Sequence, residues 1–248
     1  LNLSLISYLS SPPNGTSQEA NRATPLHFGV MYHGHYDRVF GAHCSDFFAV
    51  KDNHKTSVLE PLRKMSRVSV YFHTYRSGCV LKDEALVSFL KPMKHEFSAD
   101  ILPRIVDSYL RVILMVTGIP ASKRGSDYPD FLIIGRFDVQ YPWPLTGIGI
   151  EYHKTNIAWR DKKEEWQHLF KSNDVFIACP TAHAAPLAQS LDKSAAHSPS
   201  HDGNLFYKYF SKKVGATSIR FIDSAFRTST IDELYVLAHV GDLGGPKV

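Results

Sequence analysis

A chain of 248 residues holds one large α/β domain or two small ones at roughly 100–200 residues per domain, and the pattern below favours one. A composition 44% hydrophobic and 21% charged excludes a disordered, collagenous or membrane-embedded chain. Twenty-eight Lys+Arg against 24 Asp+Glu leave +4, too mild for the dense basic stripe of a nucleic-acid binder and better suited to a small anionic ligand.

Residues 1–25 contain Ser10-Ser11-Pro12-Pro13-Asn14-Gly15, a turn-rich run that reads as an irregular arm. Leu26 to Tyr32 is a short apolar run that ends at His33-Gly34-His35, the pattern of a buried strand stopped by a glycine loop. A helix is predicted around Asn53 to Lys64, with Val58, Leu59 and Leu62 on one face. Arg67 to His73 is β-branched and aromatic, a second strand. Glu84 to Phe89 and Asp100 to Tyr109 read as helices, Pro103 suiting a first turn. Two further apolar runs, Val112 to Val116 and Asp130 to Val139, read as strands buried on both faces.

Strands alternating with helices predict an α/β fold, a central sheet flanked by helices. Past Trp143-Pro144 the pattern loosens. Short strands are expected at Asn156 to Trp159 and Val175 to Ala178, a helix from His183 to Leu191, and a Ser/Ala/His loop from Asp192 to Ser200. A helix from Asn204 to Lys213, strands near Ile219 to Phe221 and Leu234 to Leu237, and a Gly-rich tail over 241–248 complete the chain.

Cys44, Cys79 and Cys179 are odd in number and lack a C-x-x-C spacing. Buried thiols in a reducing setting are therefore expected rather than disulfides or a zinc ribbon. No run approaches the roughly 20 apolar residues of a membrane span. The start at Leu1 leaves open a leader or anchor removed from the chain.

The sharpest chemical feature is Arg136-Phe137-Asp138 at the carboxyl end of a strongly apolar strand. Open α/β sheets bind ligands beyond the carboxyl ends of their strands. A carboxylate emerging there serves either as an oxygen ligand for Mg²⁺ or Mn²⁺ or as a strand-ending contact with Arg136. Phosphate loops of the dinucleotide and P-loop kinds are absent from the sequence, as is a serine-hydrolase elbow.

Tyr128-Pro129-Asp130-Phe131-Leu132-Ile133-Ile134-Gly135-Arg136-Phe137-Asp138-Val139 resembles the strand of GT-A-type glycosyltransferases in which a terminal aspartate stands in for the aspartate-x-aspartate motif; here there is one motif carboxylate. The nearest versions are those of algae and large algal viruses. His33-Gly34-His35, His73-Thr74-Tyr75 and Asp202-Gly203-Asn204-Leu205 agree in order, so the resemblance spans most of Leu26 to Leu237.

It implies a single GT-A-like, Rossmann-like domain over 26–240, with a nucleotide-sugar half (26–140) and an acceptor half (141–240). It also implies a UDP-sugar donor, UDP-xylose being the specific choice, and Mn²⁺ or Mg²⁺ at Asp138. The acceptor would be a glycan such as a capsid-protein N-glycan, with inversion at the sugar and the host cytoplasm as the setting.

The resemblance assigns nucleotide contacts to His33, Gly34, His35, His73 and Tyr75. For His33 and His35 the plainer alternative is a pair of surface histidines flanking a turn, and for His73 and Tyr75 it is ordinary strand-end packing. Arg104 and Arg111 are the expected cations for the diphosphate, or else a solvated helix face. Arg136 joins them as a catalytic cation. Asp202 is the expected base for the acceptor hydroxyl, or else a helix N-cap; Glu151 and Asp174 are rival bases, and His201 and His239 weaker contacts. Phe137, Tyr141, Trp143, Tyr152, Trp159 and Trp166 are either an acceptor platform or packing. Two rival functions stay open, a nucleotide- or carbohydrate-binding module of the same fold and a metal-dependent hydrolase using His33, His35 and Asp138.

Overall fold

A computed structural model describes residues 25–34, 51–100, 102, 105–137, 139, 141, 144–158, 176–197 and 206–222. The strands are β1 (Phe28–His33), β2 (Val68–Tyr75), β3 (Lys94–Ser98), β4 (Phe131–Arg136), β5 (Thr155–Ile157), β6 (Phe176–Pro180) and β7 (Ile219–Phe221). Helix α1 is a continuous helical run made of Lys51–Asn53, a π-type stretch His54–Leu59 and Glu60–Met65; α2 (Val80–Leu90), α3 (Ile105–Thr117), α4 (Ala184–His197) and α5 (Phe206–Val214) follow.

The strands form one sheet in the order β3-β2-β1-β4-β6-β5-β7. β1 is parallel to both its neighbours, β2 and β4, and β2 is parallel to β3. β6 lies antiparallel to β4 and to β5, which in turn is parallel to β7. Among the described strands β6 alone is therefore reversed, and the sheet is mixed.

Because side chains alternate across a strand, each central strand feeds two cores. Phe28, Val30 and Tyr32 join Val70, Phe72, Phe131 and Ile133 beneath α1 and α2, where Val58, Leu59, Leu62, Leu86 and Leu90 are buried. Met31, Tyr71, Leu132 and Ile134 join Ile177 and Cys179 on the opposite face, covered by Val112, Ile113 and Val116 of α3 and by α4 and α5. The result is a single Rossmann-like α/β unit with helices on both sides of a mixed sheet.

Gly29 keeps the centre of the sheet close-packed. A Cβ there would lie 2.9 Å from Leu132 Cδ2 and 3.0 Å from the Pro129 ring. Gly29→Ala is expected to lower stability by about 1–3 kcal/mol, the usual cost of an overpacked core. A urea midpoint equal to wild type would overturn that expectation.

Three expectations need correction. Val112 to Val116 is the second half of α3, not a strand, and that helix begins at Ile105 rather than Asp100. Leu114 in the middle of the run is 56% exposed, as one side of a surface helix must be; a short apolar run alone does not distinguish helix from buried strand. α4 continues through Asp192 to His197, where a loop was expected, because Leu187, Leu191 and Ala195 recur every fourth residue and are all buried. β3 was not foreseen, since Lys94-His95-Glu96 is the polar sequence of an edge strand.

The expected buried state holds for Cys179, whereas Cys79 is half-buried. Residues 1–24 of the arm, Cys44, Leu234 to Leu237 and the tail lie outside the described residues. No helix among the described residues is long and apolar enough to cross a membrane.

Candidate functional site

The chain leaves β1 for β2 and β3 on one side, then returns to β4 on the other. This reversal of direction at β1 is a topological switch point, where the carboxyl ends of two adjacent parallel strands open a crevice. The register puts named residues there: His33 stands opposite His73 of β2 on one side and opposite Arg136 of β4 on the other. Gly34 and Tyr75 follow immediately. Of the ten site residues expected from sequence, His33, Gly34, His73, Tyr75 and Arg136 thus share one edge.

Gly34 takes a φ of +91°, a conformation that suits glycine, and no described atom lies within 4 Å of where its Cβ would be. Both of its backbone polar groups are held. Its N–H donates to Ser108 Oγ at 3.0 Å, and its carbonyl accepts from Thr74 Oγ1 at 2.7 Å. The glycine turn is therefore fixed from β2 and from the first turn of α3.

His73 is fully buried, with Nδ1 2.7 Å from Ser108 Oγ and Nε2 2.9 Å from Ser98 Oγ. Burial pushes its pKa down to about 4, outweighing the opposing pull of Glu96. The ring is neutral at pH 7, so one nitrogen donates to a serine and the other accepts from one. Tyr75 meets this ring edge-on at 5.6 Å. Burial raises the Tyr75 pKa, while its hydroxyl hydrogen-bonds to the Leu102 backbone and to Ser108. Ser108 thus links Gly34, His73 and Tyr75.

The His33 ring is buried, 4.3 Å from Tyr109 and edge-on to it, which corrects the alternative of a surface histidine. Arg136 is half-buried at the end of β4. Phe137 N–H then donates to His33 O at 3.3 Å, carrying the strand pairing one residue further. Arg111 is elsewhere engaged: its guanidinium forms an ion pair with Glu96 of β3, on the exposed flank of the sheet.

Other expectations separate from the crevice. Phe137 is core, stacked on Tyr32 at 5.2 Å. Tyr141 is buried against Phe176, and Tyr152 packs on Phe28 and Phe131 at the start of their strands. None of these three is an acceptor platform. Glu151 precedes β5, which runs in the same direction as β4, so it lies at the amino-terminal edge of the sheet, opposite the crevice. There a hydrogen bond from Lys154, with Arg220 and His153 nearby, holds its pKa below the usual carboxylate range. This correction removes Glu151 as a rival base.

His35, Arg104, Asp138 and Asp202 lie outside the described residues, as do Trp143, Trp159, Trp166, Asp174, His201 and His239. Among the described residues no group of three His, Cys, Asp or Glu side chains converges as a metal site would require. The described donors at the crevice are imidazoles and hydroxyls, which do not make the hard oxygen set of Mg²⁺ or Mn²⁺.

Sequence reasoning missed Ser98 and Ser108, single serines with no motif around them. Thr74 stood inside the His73-Thr74-Tyr75 triplet and was legible there. Together these groups fix the glycine turn beside the half-buried Arg136, the hydrogen bonds of His73, Ser108 and Thr74 being used within the protein; such a turn next to a cation suits a ligand that carries an anionic group. No protein-family model matches this chain, and no curated protein matches it either.

Proposed function

We propose that the chain is a GT-A-type glycosyltransferase that moves a sugar from a UDP-sugar, UDP-xylose being the specific choice, to a glycan acceptor with inversion. The observation that carries this reading is the register of His33, Gly34, His73, Tyr75 and Arg136 along one switch-point edge. A parallel block extended by one reversed strand, in the order β3-β2-β1-β4-β6-β5-β7, also agrees with the sheet such enzymes carry.

In the reaction the acceptor oxygen bonds to the anomeric carbon, and the bond from that carbon to the diphosphate breaks. UDP departs with the bonding pair, and the acceptor proton passes to a carboxylate base, assigned by resemblance to Asp202. Arg136 is suited to the departing anion, because a fixed guanidinium stabilises charge as it develops. Gly34, whose turn the buried Ser108 and Thr74 hydroxyls hold, is suited to close approach of the nucleoside. Asp138, outside the described residues, is the carboxylate by which the resemblance would hold a divalent cation, and a UDP-dependent rise in midpoint that needs Mn²⁺ would support it.

The test is thermal unfolding with UDP and UDP-sugars, each with and without Mn²⁺. A native-state ligand at a hundredfold excess over its Kd adds about 2.7 kcal/mol. UDP is expected to raise the midpoint, and Arg136→Ala to remove most of that rise. No shift with any nucleotide at millimolar concentration overturns the reading. A shift without sugar transfer to any glycan assigns the chain to the binding-module class instead.

A further inference from the structure

Helix α1 does more than cover the sheet, because its first turns reach across to the chain leaving β4. The Asn53 side-chain amide pairs with both backbone groups of Tyr141. Tyr141 N–H donates to Asn53 Oδ1 at 2.7 Å, and Asn53 Nδ2 donates to Tyr141 O at 2.8 Å. Ser57 Oγ donates to the same carbonyl at 3.2 Å. His54 Nε2 donates to Val139 O at 2.6 Å, and its ring lies edge-on to Tyr141.

Asn53 reproduces, from 88 residues away, the donor-and-acceptor pairing that a neighbouring strand would supply. The helix is π-type from His54 to Leu59, a rare geometry that recurs at functional sites. Phe137 is tied on the other side to His33 O. The described chain beyond Arg136 is therefore fixed at Phe137, Val139 and Tyr141, by β1 and by α1.

A chain segment that only closed the core would need its apolar side chains buried, and Phe137, Val139 and Tyr141 already are. Buried backbone polar groups must be paired, and the pairing of both groups of Tyr141 comes from Asn53 of α1 rather than from a neighbouring strand. It sets the path of the backbone where it leaves the switch point. We propose that Asn53, assisted by His54, is a positioning residue for donor binding, holding the chain after Arg136 in the geometry that the diphosphate needs. This rests on the glycosyltransferase reading.

The test combines UDP titration calorimetry in Mn²⁺ with amide exchange at Tyr141 read by NMR, on the full chain. Asn53→Ala is expected to speed Tyr141 exchange and weaken UDP binding, each about tenfold, as loss of one to two hydrogen bonds gives. Asn53→Asp keeps an acceptor for Tyr141 N–H and is expected to fall between; it carries the test if the alanine variant does not fold. Ile177→Val, a methyl deletion in the opposite core, is expected to lower the melting midpoint while leaving UDP affinity at the wild-type value.

Faster exchange with unchanged UDP affinity in Asn53→Ala overturns the positioning role, and so does unchanged exchange. A loss of UDP affinity in Ile177→Val to match Asn53→Ala overturns it as well, since the effect would then be one of stability alone. Wild-type protein that binds no UDP overturns the glycosyltransferase reading and this role together, a failure recognisable before any substitution is made.

Discussion

Phe137→Ala is expected to lower stability by about 3–5 kcal/mol, the usual cost of truncating a fully buried Phe. The ring is completely shielded. It stacks on Tyr32 at 5.2 Å, and meets Phe72 edge-on at 5.9 Å. Its neighbours belong to β1 and β2, so the cavity left behind lies between sheet and strand exit, where the backbone is held by hydrogen bonds and collapses poorly. Chemical denaturation of the two proteins checks this. A variant of wild-type stability with impaired glycan binding would restore Phe137 to the acceptor-platform role that its burial removes.

Acidification supplies the second large effect. His73 titrates at about 4 in the folded chain against 6.5 for an ordinary histidine, so the unfolded chain takes up a proton that the folded chain refuses. Stability is therefore full above pH 6.5, falls as pH drops toward 4, and levels off once the folded ring protonates too. From His73 alone the loss amounts to about 3 kcal/mol. Burial lowers the pKa of His27 and His183 as well, in the same direction.

Unfolding free energies measured between pH 7 and pH 4 for wild type and His73→Gln check the assignment. The wild-type curve should fall more steeply, the difference accumulating below pH 6.5. Parallel curves would show that His73 does not titrate in that window. Burial is what keeps the ring neutral; the serine hydroxyl on each ring nitrogen pairs it in that form without supplying a compensating charge.

The central strands were legible from sequence because burial on both faces leaves nothing for polar residues to do, as Phe131-Leu132-Ile133-Ile134 shows. The same logic failed one element earlier. Val112 to Val116 is equally apolar, yet it covers the sheet as a helix, with Leu114 turned to solvent. Composition was identical in kind, and only continuity with Val106 and Tyr109, both buried on the same face, separates the two cases. β3 was invisible for the opposite reason, an edge position whose charges protect it from further pairing.

Half of the crevice was legible because its residues follow strands: His33-Gly34 and His73-Thr74-Tyr75 stand where two apolar runs stop. What sequence did not carry was the register that brings them level, or the partners from distant elements. Ser108 meets Gly34 from 74 residues away, and Asn53 meets Tyr141 from 88. Neither side chain interrupts a pattern, so neither announces itself. Glu151 illustrates the converse error: its charge was legible, but only the direction of β5 shows which edge of the sheet it occupies.

The position of β1 between β2 and β4 has a consequence for synthesis. The first of the described strands to leave the ribosome is the one that needs both neighbours, and its far partner, paired at Phe28 with Phe131, arrives about a hundred residues later. At roughly 5–20 residues per second that interval lasts on the order of 5–20 s. Throughout it Phe28, Val30, Met31 and Tyr32, all buried in the finished fold, have no complete place to go. The nascent chain thus carries this apolar segment unpaired on one side for that interval, and β2 with α1 forms its first partial shelter. Variants that slow the pairing of β1 with β2 should weigh more on yield in cells than on the stability of protein that has already folded.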